Sequence, residues 1–246
     1  MNRTHTTEPD TTIIEFFYVK KIDTRLLIAF LEKWFQEIGL EATHGLFETN
    51  RIVMKDFKSY WYVKNKVSSL GYDNIVYWQM VSRKSGMGPD LTVEFDKEDQ
   101  TFSLTYNKRS LQLGKEKILT LIRNMLRYMS PAYGDCYDVN IQEHIEKVQR
   151  YNTVANMNVG IDQVEWVIQW YQLYFSFEEQ IKDLKGIYPL NFLSNEHLKQ
   201  KFNNQTLEEW ISEEEGRGKI SLFSKDLKLW EVERTTSIEN YFKKFS

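Results

Sequence analysis

Histidines are the first residues to test for chemistry, and their spacing argues against a metal or catalytic site. The chain has four of them, at His5, His44, His144 and His197. No two lie within four residues of each other, so the sequence contains no HExxH motif and no other local pair of zinc ligands. In Glu143-His144 and Glu196-His197 the two residues are adjacent, and adjacent residues point to different sides of a helix. We therefore predict that both histidines lie on solvated helix surfaces.

Cys136 is the one cysteine of the chain, and its neighbours disfavour a nucleophilic role. Asp135 precedes it and Asp138 follows closely. Nearby carboxylates raise the pKa of a thiol, so the reactive thiolate becomes scarcer. We predict a small, partly buried structural residue. The two aspartates have two interpretations: a dispersed carboxylate site that binds a metal or supplies acid and base, or surface carboxylates in a loop.

Other catalytic signatures are missing from the sequence. There is no G-x-S-x-G nucleophile elbow. The glycines of Gly86-Met-Gly88-Pro89 have no Lys-Ser/Thr behind them, so this segment is predicted to be a turn and not a phosphate-binding loop. The residues therefore predict a protein with no catalytic residues, no metal and no cofactor.

Composition allows a sizeable core, because the 246 residues are 41% hydrophobic and 15% aromatic. We predict a single α+β unit over residues 1–246, with lobes at 1–130 and 131–246 as the alternative. The net charge is −3, but the halves differ: residues 1–130 hold 19 Lys/Arg and 16 Asp/Glu, and residues 131–246 hold 13 and 19. The acidic second half is the better surface for a basic partner. Nonspecific binding of nucleic acid by the whole chain is disfavoured.

The compartment is predicted from what the sequence lacks. A single cysteine forms no intrachain disulfide, which fits a reducing environment. Residues 1–11 are polar and lack the apolar region of a signal peptide. No run approaches the ~18 apolar residues of a membrane span. We predict a cytoplasmic protein without a membrane partner. Its oligomeric state is not indicated by the sequence.

The first half is predicted to have the element order β-α-α-β-β-β-α. Since strands cluster and helices cluster, the pattern predicts an α+β fold with antiparallel sheets and helices packed on one face. Without regular βαβα alternation, a doubly wound nucleotide fold is disfavoured. The elements are strand Thr12–Val19, helix Thr24–Ile38, an irregular loop Glu41–Asn50, helix Lys55–Leu70, strands Asn74–Val81, Leu91–Phe95 and Phe102–Tyr106, and helix Lys115–Met129.

The second half is less regular. Ala132–Val139 is predicted to be a strand or an irregular arm. Gly186–Leu198 is a connector whose apolar residues enter a core, with Ser194 placed to cap a helix. Thr206-Leu-Glu-Glu209 is a capping box. The remaining elements are a short helix at 140–150, a strand at 154–159, an aromatic segment of either type at 164–172, a hairpin of Lys219–Phe223 with Leu227–Val232, and a helix at 237–245.

Aromatic residues are the strongest remaining signal. Most of the 7 Trp are expected in the core, and some at an interface, where Trp anchors binding. Trp210 followed by Glu213, Glu214 and Glu215 suggests an anchor with charges that steer a basic partner, although a solvated turn also explains the glutamates. The interleaved basic and aromatic residues of Lys55–Lys66 suit single-stranded nucleic acid, or equally an amphipathic helix with a basic outer face.

One stretch of the sequence resembles a known family. Tyr188-Pro-Leu-Asn-Phe-Leu-x-x-x-His-Leu198 is followed by Gln205-Thr-Leu-x-x-Trp-Ile211, then by Gly218-Lys-Ile-Ser-Leu222 and Leu229-Trp-x-Val232. This order, over residues 186–246, resembles bacterial immunity proteins of polymorphic-toxin and type VI secretion systems.

The resemblance implies an α+β protein that binds one cognate toxin and blocks it by direct occlusion, without catalysis of its own. Many toxin nucleases are basic, so we expect the partner-binding residues to include Trp210, Glu213–Glu215, Asp135 and Asp138. Two alternatives stay open: a phage- or defence-associated protein-binding module, and an enzyme with a dispersed carboxylate site near Asp135 and Asp138.

Overall fold

A computed structural model describes residues 10–54, 56–84, 88–139, 184–185, 187–202 and 204–232 of the chain. Contacts divide these residues into two compact units, Asp10–Ala132 and the described residues from Tyr133 onward. Each unit contains an antiparallel sheet with helices, so the predicted α+β fold class is confirmed. The organisation of residues 1–246 as a single unit or as two lobes stays a prediction. The elements predicted at 140–150, 154–159, 164–172 and 237–245 lie outside the described residues.

In the unit Asp10–Ala132, six strands are ordered β1-β6-β5-β4-β2-β3, and all neighbours are antiparallel. The strands are β1 Thr11–Phe17, β2 His44–Thr49, β3 Lys58–Ser59, β4 Ile75–Ser82, β5 Leu91–Asp96 and β6 Thr101–Asn107. The helices are α1 Thr24–Glu37, α2 Tyr60–Leu70 and α3 Lys115–Met125, with a 3-10 turn at Tyr72–Asn74.

Local sequence explains the elements that were predicted well. The Asp23 side chain accepts the Leu26 backbone N–H at 3.0 Å and starts α1, as an N-cap residue does. The β5–β6 hairpin alternates buried and partly exposed residues, so one face of it packs into the core. Trp78 on β4 stacks on Phe95 of β5, with ring centroids 5.7 Å apart.

Two predictions in this unit are wrong. Glu41–Asn50 is not an irregular loop, because it contains β2, which pairs along β4. Gly45 hides the alternation of β2: it is buried in the position of a core residue, and a Cβ there would lie 2.9 Å from the Gln79 carbonyl oxygen. The predicted helix start at Lys55 is also wrong, because residues 58–59 form β3 on the outer side of β2.

In the unit from Tyr133 onward, four strands are ordered β11-β12-β8-β7. The elements are β7 Tyr133–Val139, β8 Leu190–Leu193, α4 Asn195–Leu198, the small ladder β9 Lys201–Phe202 with β10 Gln205–Thr206, α5 Leu207–Glu213, a 3-10 turn Glu215–Arg217, β11 Lys219–Leu222 and β12 Lys228–Glu231. Ala132–Val139 is therefore a strand. The predicted C-terminal hairpin and the capping box of α5 are both confirmed.

Asn191 fixes the turn that leads into β8. Its side-chain oxygen accepts the Tyr188 N–H at 3.0 Å, and its amide nitrogen donates to the Tyr188 carbonyl oxygen at 2.6 Å. The helix predicted after Ser194 exists, but the Ser194 hydroxyl makes no cap hydrogen bond to the backbone. It lies 2.8 Å from Nδ1 of His197 instead.

Candidate functional site

The predicted acidic surface is organised by Arg217. Its guanidinium lies 2.9 Å from a Glu213 carboxylate oxygen and 3.0 Å from one of Glu214, and it donates to the Trp210 carbonyl oxygen at 2.7 Å. The guanidinium carbon also lies 4.5 Å from the centroid of the Trp210 ring. Trp210 is only 8% exposed, so its indole belongs to the core of this unit. Hydrogen bonding to Arg217 lowers the pKa of Glu213.

Other carboxylates near α5 are engaged in the same way. Glu208 pairs with Lys228 at 2.6 Å. Glu209 closes the capping box with Thr206, and those hydrogen bonds lower the pKa of Glu209. Glu215 is exposed, and no ion pair involves it among the described residues. Much of the acidic charge predicted to steer a partner is therefore compensated within the chain, and partner binding at these residues stays a prediction.

Asp135 and Asp138 both lie in β7, so their interpretation as surface carboxylates in a loop is wrong. Residues three positions apart on a strand point to opposite faces, so their carboxylates diverge. Asp135 is fully buried, and its Oδ2 lies 3.7 Å from Nζ of Lys185, which is buried as well. Asp138 is exposed. The two aspartates therefore do not form a shared carboxylate site.

Lys185 lies against two aromatic rings as well as Asp135. Its Nζ is 5.5 Å from the ring centroid of Tyr137 and 5.6 Å from that of Tyr188, and the two rings stack at 4.5 Å. The carboxylate and the ring faces compensate the charge of this buried ammonium, so removing one partner of the pair would be costly. Among the residues that the structure describes, no group of three or more His, Cys, Asp or Glu could hold a metal ion.

Cys136 and His197 are both buried in this unit. Burial, with a smaller contribution from Asp135, raises the pKa of the Cys136 thiol far above its usual value, and the predicted structural role fits this. The prediction of a solvated His197 is wrong, because its side chain is 4% exposed and stacks on Tyr133 at 5.1 Å. Burial lowers the pKa of His197 to about 4, so the imidazole is neutral at neutral pH. His144 lies outside the described residues.

Exposed aromatic side chains are concentrated at β3 and the start of α2. Of the seven large hydrophobic side chains that are exposed among the described residues, five lie within residues 52–62. We call these five the edge surface: Ile52, Val53, Phe57, Trp61 and Tyr62. Trp61 is 76% exposed, whereas the other described tryptophans are buried. The alternation of basic and aromatic residues at Lys55–Lys66 signals this surface in the sequence, but it does not show which aromatic faces outward.

Comparison with known proteins gives a match in fold and none in sequence family. No family model and no curated protein sequence matches the chain. Among solved structures, the Pseudomonas aeruginosa T6SS protein PA0821 matches with a TM-score of 0.55 and 12% sequence identity, over 93% of this chain and 68% of that chain. The chain thus shares the fold of a type VI secretion system protein. Within the described residues, no helix is long and apolar enough to cross a membrane.

Proposed function

We propose that this chain is a cytoplasmic immunity protein of a type VI secretion system, which binds a cognate toxin and blocks it by direct occlusion. The observation that carries the proposal is the likeness in fold, over 93% of the chain, to a T6SS protein. The resemblance of residues 186–246 to immunity proteins supports the same function. Within that stretch, the described residues form one packed unit around β8 and β12.

The environments of the side chains that could take part in catalysis support a binding role for the protein. Asp135 is paired with buried Lys185, and His197 is held neutral against Tyr133. The Cys136 thiol is buried and hard to ionise. Each of these groups stabilises packing, and a protein that acts as a stoichiometric inhibitor needs none of them to react.

Occlusion of a basic toxin by the acidic half is the form of the proposal that the sequence suggests. Trp210, Glu213 and Glu214 are engaged with Arg217, so in this form of the proposal the exposed carboxylate of Glu215 is the contact that remains in this acidic segment. Exposed charges of this kind act mainly on the rate of association.

The test is co-expression with the product of the neighbouring upstream gene, which the proposal takes to be the toxin. We expect the full chain to restore growth of bacterial cells that produce this toxin, and to elute with it as a stoichiometric complex in size-exclusion chromatography with light scattering. An unrelated toxin is the specificity control. If the neighbouring gene product is not bound and growth is not restored, the proposal is wrong.

A further inference from the structure

We propose that the edge surface is a docking site for an acidic region of the partner protein, with Trp61 as its anchor. The inference rests on the proposed function, because it assumes that the partner bound at the edge surface is the toxin. It differs from that proposal in placing the contact on the unit Asp10–Ala132 and in assigning the opposite charge to the partner's contact region.

Backbone contacts hold the edge surface at Ile52, at Val53 and at residues 58–59, although its side chains are exposed. After β2, the Thr49 hydroxyl accepts the N–H groups of Arg51 and Ile52 at 3.2 Å and 2.9 Å and turns the chain back. The returning segment bridges Glu48 at Val53 and then forms β3. Because β3 is the last strand in the sheet order of this unit, the segment lies along an edge of the sheet.

Helix α2 turns its first aromatic residues outward. The Tyr60 hydroxyl donates to Glu32 at 2.8 Å, and its ring packs edge-on against Trp78 at 6.3 Å. With Tyr60 fixed inward, the period of 3.6 residues per turn places Trp61 and Tyr62 away from the core. Among the described residues, no hydrogen bond or ring contact involves Trp61. A large, exposed indole on a fixed backbone is the kind of residue that dominates binding energy at interfaces.

The charge around the edge surface selects an acidic partner. Residues 51–66 contain five Lys/Arg and one Asp. Lys64 is paired with Glu32 at 2.8 Å, and Lys66 lies 5.9 Å from the Tyr62 ring. Arg51 and Lys58 are exposed beside the apolar side chains. An acidic region of a partner complements this charge, and it would be attracted from solution at low salt.

The charge also argues against two other occupants of the edge surface, a second copy of this chain and a single-stranded nucleic acid. A second copy of this chain would place the same positive segment against itself in a twofold contact, and like charges repel. Single-stranded nucleic acid would use the aromatic faces and the basic residues. However, the chain as a whole carries a net charge of −3, which opposes binding of a polyanion. The observations therefore favour an acidic protein.

The test compares variants of the full chain for binding to the immobilised product of the neighbouring upstream gene. We expect Trp61→Ala to weaken the equilibrium affinity about thirtyfold, the effect of removing a central interface residue. Leu222→Ala is the matched control, because Leu222 lies on an edge strand of the other unit and is 77% exposed against 76% for Trp61. We expect Leu222→Ala to change the affinity less than about threefold. Circular dichroism checks that both variants are folded.

Charge reversal tests the chemistry of the partner. In the double variant Arg51→Glu/Lys58→Glu we expect association to slow about tenfold at low salt, with a smaller effect at higher ionic strength. Glu215→Lys distinguishes the two contact surfaces: if the edge surface is the docking site, this variant associates at the wild-type rate, and if the acidic half makes the contact, association slows. The opposite pattern would place the contact on the acidic surface and overturn the inference.

The remaining outcomes separate this inference from the proposed function. If wild type binds the toxin and Trp61→Ala binds equally well, the docking site is wrong and the proposed function stands. If wild type does not bind the toxin, both are wrong. Binding of an oligo-dT strand that depends on Trp61, without toxin binding, would identify a nucleic-acid surface. Self-association that is lost in Trp61→Ala, without toxin binding, would identify a contact between copies. Either result overturns the inference.

Discussion

Acidification is expected to destabilise the unit from Tyr133 onward through His197. Burial lowers the pKa of His197 from 6.5 to about 4 in the folded chain. Its ring stacks on Tyr133, and Nδ1 lies 2.8 Å from the Ser194 hydroxyl. Nε2 is buried without a hydrogen-bond partner among the described residues. Protonation would place a charge at this apolar edge, so the fold favours the neutral imidazole.

The sign and the magnitude follow from linkage. The folded pKa is depressed, so the unfolded chain binds the proton more readily and stability falls as the pH drops. The contribution is fully present above the unfolded value of 6.5 and is lost as the pH falls from there towards about 4. At about 1.4 kcal/mol per pKa unit, acidification from about pH 7.5 to about pH 4.5 should remove about 2.5 kcal/mol through this group.

The assay is urea denaturation followed by circular dichroism at both pH values, for wild type and for His197→Phe. Phenylalanine keeps a flat ring against Tyr133 and cannot be protonated. It loses the contact with Ser194, which costs about 1 kcal/mol at either pH. The variant should therefore lose about 2.5 kcal/mol less stability than wild type on acidification. The exposed His44, changed to Phe, is the control. Equal pH dependence of wild type and His197→Phe would refute the reasoning.

Three further substitutions test the packing of this unit. Lys185→Met removes the buried cation that lies 3.7 Å from the Asp135 carboxylate, and urea denaturation at neutral pH should show a loss of about 3 kcal/mol or more. Gly218 has a φ of 95°, and a Cβ there would lie 2.2 Å from the Glu231 carbonyl oxygen. Gly218→Ala should therefore cost at least about 2 kcal/mol in denaturant titration. Thr206→Ala removes the capping box of α5 and should cost about 1 kcal/mol in the same titration.

Each substitution has a matched control. The double change Lys185→Met/Asp135→Leu removes both charges and should recover much of the stability lost by Lys185→Met alone; no recovery would contradict a buried ion pair. Gly39→Ala keeps a positive φ of 73° but has no atom within 4 Å, so its cost should be clearly smaller than that of Gly218→Ala. Thr206→Ser keeps the capping hydroxyl and should be near neutral. Equal losses for Thr206→Ser and Thr206→Ala would argue against capping.

The elements predicted correctly from the sequence are those whose signals are local. Asp23 and Gly39 mark the two ends of α1, and the alternation of β5 and β6 shows the face that they bury. Strand β2 was missed because its place depends on β4, which follows about thirty residues later, and because a buried glycine carries no hydrophobic signal. The sequence alone does not show which of Tyr60 and Trp61 is the buried aromatic of α2. Tyr60 is the buried residue because its hydroxyl donates to Glu32 and its ring packs on Trp78. Both contacts are with residues distant in the sequence.

The burial of the polar residues Asp135 and His197 could not be predicted from the sequence either, because it also depends on contacts with distant residues. Asp135 was taken for a surface carboxylate because its cation, Lys185, lies far away in the sequence. His197 was taken for a solvated residue because it follows Glu196, yet its environment is set by Tyr133 on β7. The sequence around a polar residue does not indicate a partner that lies far away in the chain. Such a residue is therefore predicted to be exposed, and the prediction is wrong when a distant partner offsets the cost of burying it.

The geometry also explains what the motif of residues 188–232 can and cannot determine. Asn191 fixes the turn at Tyr188, and the indole N–H of Trp230 donates to the Arg217 carbonyl oxygen at 2.8 Å. Both side chains are fully buried, and both are hydrogen-bonded within the chain. Such residues define the fold, and any partner that binds this fold would find them inaccessible. Under the proposed function, specificity for one toxin would come from exposed positions, and Trp61 is the largest exposed side chain among the described residues.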